Sequence, residues 1–409
     1  MNLSPRLKKI LVIIGFVALV FILAWLIYIF FFKSYEPGVT QPLPGDTLQL
    51  EGLPQIGEGD SGRIVDTGEV DQVAQLPDVR SQVDYVKEVK TLVEEPVKGL
   101  FASSQGSLVY YNTEDSKFYK YTTGEIQPLS DKSFYNVDEI TWSGSGSRAI
   151  LEYPDGHNIF YDFARGKQIS LPKEMEDFSF DNRGEKIAAK IITGYEESNW
   201  IVTANYDGSG MSFIEHLGDK SFDVDINWSP AGEIVATYRE GIDFERQEVY
   251  PIGQSGGNIK SLVTAGRGFA SQWSPQGDFI LYNVYNSSSG YRPTLWLSDM
   301  GGDWTGSYNV SLGLNTWSDK CVFTADSRYV YCAVPEELPE LSGIFKELGD
   351  DSSDVLYRIN VVTGNKQLVA LPEDGKNNIN MQSLSLSPNE DILYFIEQAT
   401  GEIKSIELR

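Results

Sequence analysis

One phrase, said seven times, constrains this chain more than anything else in it. NWSPAGEIVATY at 227–238 returns as QWSPQGDFILYN at 272–283. Looser copies are FASSQGSLVYY from Phe101, TWSGSGSRAILEY from Thr141, SFDNRGEKIAAK from Ser179, VFTADSRYVYCA from Val322 and SLSPNEDILYFI from Ser385. The copies align without gaps. Before the turn stand Ala102, Trp142, Phe180, Trp228, Trp273, Phe323 and Leu386, followed by Ser103, Ser143, Asp181, Ser229, Ser274, Thr324 and Ser387. Three residues on come Gly106, Gly146, Gly184, Gly232 and Gly277, then Ser327 and Glu390.

Nothing in the phrase is reactive, so its chemistry is conformational. Ser, Asp and Thr side chains hydrogen-bond the backbone of a tight turn, and Pro230, Pro275 and Pro388 preset φ for its first central residue. Gly takes the positive φ of a bulged hairpin turn. An aromatic closes one strand and the following apolar run opens the next, so the phrase is a hairpin corner. Successive copies lie 40, 38, 48, 45, 50 and 63 residues apart. That period suits one four-stranded propeller blade per copy. No helical period separates the strands, which excludes parallel βαβ repeats.

These residues resemble the TolB-like family of WD40-like (PD40) propeller repeats, whose corner reads roughly W-S-P-D-G before a strand. Residues 228–236 and 273–281 carry the match, and the resemblance spans about residues 97–409. It implies a β-propeller. The corner is a structural signature, so it implies no activity.

The last copy supplies three strands, SLSLS, ILYFIE and IKSIEL, before the chain ends at Arg409. The segment YVKEVKTLVEE, 85–95, precedes the first copy and has no blade of its own. The expectation is an all-β, seven-bladed propeller over 85–409, with 85–95 as the outer strand of the seventh blade.

Ahead of it, residues 10–32 contain no charge, and as a helix they would span about 34 Å, enough for a hydrocarbon core of about 30 Å. Arg6, Lys8 and Lys9 precede the segment, and acidic residues prevail after Lys33, so the positive-inside rule places the N-terminus in the cytoplasm. The expected order is a cytoplasmic tail at 1–9, an uncleaved transmembrane helix at 10–32 and an acidic Pro/Gly-rich linker at 33–84. The propeller then lies outside the cytoplasmic membrane. The linker buries too little apolar surface to offset its ordering entropy.

A formal net charge of −25 without Lys/Arg clusters excludes nucleic acid as a partner. His157 and His216 share no ligand spacing, and two cysteines make neither a disulfide scaffold nor a Cys-based zinc site. There is no G-x-S-x-G elbow. GSGSR at 144–148 is a corner rather than a phosphate loop, and YDGSG at 206–210 and DMGG at 299–302 fall where hairpin turns belong. No catalytic residue, cofactor or metal is assigned. Cys321 and Cys332 flank one corner, and in a register with Thr324 opposite Tyr329 they face each other. They are a possible disulfide on the oxidising side of a membrane, or else two buried thiols.

The function expected is that of a membrane-tethered scaffold or receptor for an envelope or surface protein or glycan, and not an enzyme. The alternative is an enzyme at the propeller face, acting on glycans or peptides. Partner contact is expected on the face carrying the second-to-third strand turns. That face holds the longest insertion, 334–353, whose ELSGIFKEL could form a short amphipathic helix, and the hot-spot residue types Tyr195, Phe244, Tyr291, Arg292, Trp317 and Phe345.

Overall fold

Between corners the chain alternates short β-branched and aromatic runs, and each becomes a strand. The computed structural model describes residues 85–103, 106–122, 124–256, 259–373 and 379–408. The expected transmembrane helix at 10–32 and the linker at 33–84 lie outside the described residues. Among the described residues, no helix is long and apolar enough to cross a membrane.

The first strand, β1, is Val86–Val93. Five antiparallel four-stranded sheets follow in sequence order. The first is β2 (Val97–Ala102), β3 (Leu108–Asn112), β4 (Lys117–Thr122) and β5 (Glu125–Pro128). The second is β6 (Glu139–Trp142), β7 (Arg148–Glu152), β8 (Asn158–Asp162) and β9 (Lys167–Leu171). The third is β10 (Met175–Phe180), β11 (Lys186–Ile191), β12 (Trp200–Asn205) and β13 (Ser212–His216). The fourth is β14 (Val224–Ile226), β15 (Ile234–Gly241), β16 (Gln247–Gly253) and β17 (Leu262–Thr264). The fifth is β18 (Arg267–Trp273), β19 (Phe279–Tyr285), β20 (Thr294–Asp299) and β21 (Asn309–Ser311).

The remaining strands are β22 (Cys321–Phe323), β23 (Tyr329–Pro335), β24 (Asp354–Asn360), β25 (Lys366–Glu373), β26 (Met381–Leu386), β27 (Ile392–Glu397) and β28 (Ile403–Glu407). With β1 they form one eight-stranded sheet, ordered β22-β23-β24-β25-β1-β28-β27-β26. This corrects the expectation of seven separate blades behind a transmembrane helix. The propeller has five separate four-stranded blades, and its last seven strands are continuous through β1. The cause is the length of β1. Val89 to Val93 pair antiparallel with β28, as expected for an outer closing strand, while Val86 to Glu88 pair parallel with Leu371 to Glu373 of β25.

The core is laid down between successive sheets. Phe118 and Tyr111 of the first sheet pack on Ala149, Leu151 and Tyr161 of the second. Val249 of the fourth packs with Phe269, Ile280 and Tyr282 of the fifth. Within the eight-stranded sheet, Tyr331, Ala333 and Leu356 pack on Met381, Leu393 and Phe395. The chain ends join through Val93, Ile396 and Ile403 against Leu108 and Tyr110.

All seven phrases form the same turn. The N–H of the fourth residue donates to the carbonyl of the first, as in Gly146 to Ser143 (2.8 Å), Gly277 to Ser274 (2.9 Å) and Glu390 to Ser387 (2.8 Å). The fourth residue has positive φ whether it is Gly277 (73°), Ser327 (58°) or Glu390 (56°). These corners and the third-to-fourth strand turns share one face. Second-to-third turns and the links between sheets share the other. Because β1 runs antiparallel to β28, it starts at the corner face.

Candidate functional site

The insertion at 334–353 stands on the face opposite the corners. Its expected amphipathic helix is replaced by turns and one 3-10 turn, Lys346–Gly349. The reason is in the backbone. Leu341 sits at φ 69°, and the N–H groups of Leu341 and Gly343 donate to the Gly290 and Tyr291 carbonyls (3.0 and 2.8 Å) rather than back along a helix. Folded this way, the segment leaves Leu341, Ile344, Phe345 and Leu348 between 42% and 55% exposed.

The six residues expected at a partner surface divide. Phe345, Phe244 (93% exposed) and Tyr195 (71%) stand in solvent. Tyr291, half-buried, supports the insertion through its carbonyl. Arg292 holds it as well, since its Nε donates to the Leu338 carbonyl at 2.7 Å and its Nη1 to Ser289 at 3.2 Å. Trp317 is only 6% exposed and packs beside Gly349, with the Lys346 ammonium 5.7 Å from its ring centre. Arg292 and Trp317 therefore organise the insertion from beneath. Two exposed aromatics missed in the sequence, Tyr135 (71%) and Phe222 (88%), lie in links on the same face. Their signal was position alone, since both fall between one sheet's last strand and the next sheet's first.

Cys321 and Cys332 pair directly across β22 and β23, with Thr324 N–H donating to the Tyr329 carbonyl at 2.9 Å. They are joined as a disulfide, Cα to Cα 4.0 Å. His157 is at a turn beside Asp155, and His216 closes the outer strand β13.

Two polar features lie on the same face. The first is a set of carboxylates at the starts of the innermost strands. Glu139 of β6 sits opposite Glu152 of β7. Asp177 of β10, at a bulge with φ 53°, pairs with the buried Lys190, and Asp225 of β14 takes the Arg239 guanidinium at 2.8 Å. Burial, with Glu139 and Asp177 nearby, pushes the Glu152 carboxyl up to about 8, and its buried Oε1 has no hydrogen-bond partner. Such a group holds its proton at neutral pH and can donate it.

The second is a cleft of about 530 Å³ between the fourth and fifth sheets. Lys220, Arg239, Glu240, Gly241, Gln247, Arg267, Gly268 and Tyr285 are among its lining residues. Gly268 is required by close approach, since at its positive φ a Cβ would meet the Tyr285 ring, whereas a Cβ on Gly241 would meet only the movable Arg267 guanidinium. Among the described residues, no group of three or more His, Cys, Asp or Glu is placed to hold a metal ion.

Comparison with known proteins shows the fold. The chain is similar to an oligogalacturonate lyase from Vibrio parahaemolyticus, with 12% identity and a TM-score of 0.50 over 78% of this chain and 93% of the lyase. It is also similar to the β-propeller domain of Cps50 (Swd1) from Myceliophteria thermophila, with 13% identity and a TM-score of 0.52 over 78% of this chain and 98% of that domain. No family model and no curated protein matches the chain. The propeller half of the TolB-like resemblance is thus supported, at identities that carry fold alone. The expectation that the chain is not an enzyme is corrected, because the fold on which it rested is also that of a lyase.

Proposed function

We propose that this chain is a membrane-tethered, extracytoplasmic propeller of the TolB-like repeat type that binds an envelope or surface protein through the face opposite its corners. One observation carries the reading: the longest insertion is held rigidly from below by Arg292 and Trp317 yet turns Leu341, Ile344 and Phe345 outward. Apolar side chains ordered in solvent suit a protein partner better than a glycan. The uncharged stretch at 10–32 and the basic residues before it support the tether and the orientation. The Cys321–Cys332 bridge supports an oxidising compartment.

The test is recovery of partners from membranes with the full chain as bait. Ile344→Ser with Phe345→Ser, and separately Phe244→Ser, change exposed side chains and should melt like the parent. The reading expects the first variant to lose its partners. Recovery of the same proteins at parental yield would sink it.

A second reading, acid–base chemistry on a glycan or peptide at the innermost strands, is favoured by Glu152 alone. Its neighbourhood keeps it protonated near neutrality, as a general acid needs. Turnover of a glycan or peptide panel that survives in Glu152→Gln would remove this reading.

A further inference from the structure

The cleft between the fourth and fifth sheets has unfinished hydrogen bonding of a specific kind. Gln247 opens β16 and is only 3% exposed, yet its amide Nε2 is buried without a partner. Nearly all buried donors in folded proteins are satisfied, because an unmade bond is costly. Gln247 pairs across the ladder with Gly241, so its side chain lies on the face of β15 that carries Arg239 and turns toward the fifth sheet.

The cations of the cleft are not equally engaged. Arg239 is engaged by Asp225 and by the Phe269 and Phe222 carbonyls. Lys220 pairs with Glu240 Oε1 at 3.3 Å and with the Tyr238 hydroxyl at 2.8 Å. Arg267 makes one hydrogen bond, from Nη1 to the Asp243 carbonyl at 2.8 Å, and Asp243 gives its carboxylate to Arg246 instead. On the other side of β15, the buried Glu240 Oε2 accepts from nothing. The cleft thus offers a neutral donor and a guanidinium, beside the Tyr285 ring and the bare backbone of Gly241 and Gly268.

We infer that this cleft is a binding site for a small carboxylate. A carboxylate satisfies Gln247 Nε2 and Arg267 together. A neutral polyol lacks the partner for Arg267. A cationic one meets that guanidinium with like charge. In a chain of net charge −25, a cleft that selects an anion does so by local design and not by overall field.

The site is independent of the protein-binding reading, since it uses neither the insertion nor the exposed aromatics. Its test uses the full chain in detergent, titrated with gluconate, glucose and glucosamine and followed by saturation-transfer NMR on the ligand. Gluconate is expected to bind at least about tenfold more tightly than the other two, and Arg267→Gln to weaken it by about tenfold or more, as for a charge-assisted hydrogen bond. Gln247→Leu should weaken gluconate to a similar degree while the ligand-free protein melts no lower than the parent, because the amide it removes is unsatisfied. Equal binding of all three probes overturns the inference, as does no gluconate signal at tens of millimolar. So does a Gln247→Leu variant that keeps parental affinity, or one that melts several degrees lower without ligand.

Discussion

The Lys320 ammonium lies 2.8 Å from Asp354 Oδ2, and the two side chains are 1% and 0% exposed. This buried pair joins the link before β22 to the first residue of β24, where the insertion returns to the sheet. Asn380 completes it by accepting from Lys320 at 2.8 Å and donating to the Gly349 and Asp350 carbonyls at 3.1 and 2.9 Å. Met381 N–H reaches the same Asp354 oxygen at 2.6 Å. Burial pushes the Asp354 carboxyl upward in pKa against the pull of Lys320, so the ion pair persists only because each charge has the other.

Removing one partner should therefore be worse than removing both. Lys320→Met leaves a buried carboxylate and is expected to cost about 3–5 kcal/mol in denaturant unfolding. Adding Asp354→Leu should restore part of that loss. A double variant less stable than Lys320→Met alone would show that the pair does not work as a charge couple.

The corners were legible in the sequence because a turn is a local object. Trp228-Ser229-Pro230 and Gly232 dictate their own dihedrals, and the phrase at 322–333 allowed the register, adopted in the structure, that sets Cys321 across from Cys332. The closing strand was legible from a deficit, three strands where four were needed. Its parallel contact with β25 was not, because nothing in Val86-Lys87-Glu88 names a second neighbour. Trp317 and Arg292 read as interface anchors, and in the structure both also hold the chain's own insertion, a contact that composition does not reveal. The cleft was invisible because Gln247, Arg267 and Glu240 come from three strands and only the assembled sheets bring them together.

The disulfide bridges two strands that the turn already holds, and both cysteines are at most 4% exposed. Its loop-closure contribution is bounded at about 3 kcal/mol for a loop of this length. Intact-mass measurement after alkylation should show no modified thiol in the folded protein without reductant. Reductant should lower the denaturant midpoint. Two alkylated cysteines without reductant would refute the bridge.

Glu152 sets a pH dependence of definite sign. Its carboxyl is raised from 4.5 to about 8 in the folded protein, so between those values the unfolded chain gives up the proton first. Stability is then lost as pH rises through that window, by at most about 5 kcal/mol at 1.36 kcal/mol per unit. Glu152→Gln, neutral at every pH, should match the parent near pH 4 and exceed it above pH 8. Parallel melting curves for the two proteins across the whole range would refute the shift.

Ring closure is testable by deletion. Without residues 85–95, β28 keeps β27 but loses its outer antiparallel neighbour, β25 loses its parallel one, and Val93 leaves the core. That deletion should lower the melting temperature of the whole propeller, whereas deletion of 36–75 should leave it unchanged. Equal melting of the two deletions would mean that β1 does not close the ring.

The corner position itself gives the last test. Five copies place Gly there, while Ser327 holds φ 58° with a Cβ that this region disfavours by about 1–2 kcal/mol. Its hydroxyl is also buried without a hydrogen-bond partner, which adds a desolvation cost. Ser327→Gly relieves both, against a smaller loss from the greater freedom of glycine in the unfolded chain. The variant is expected to gain about 1 kcal/mol in denaturant unfolding. Glu390 is the control. It sits at φ 56°, but its Oε1 accepts from Ala325 N–H at 2.9 Å on the neighbouring corner, so Glu390→Gly gives up a cross-corner bond and should gain little or nothing. If Ser327→Gly destabilises the protein, the strain assigned to this position is absent. If Glu390→Gly gains as much as Ser327→Gly, the bond between the corners carries no weight.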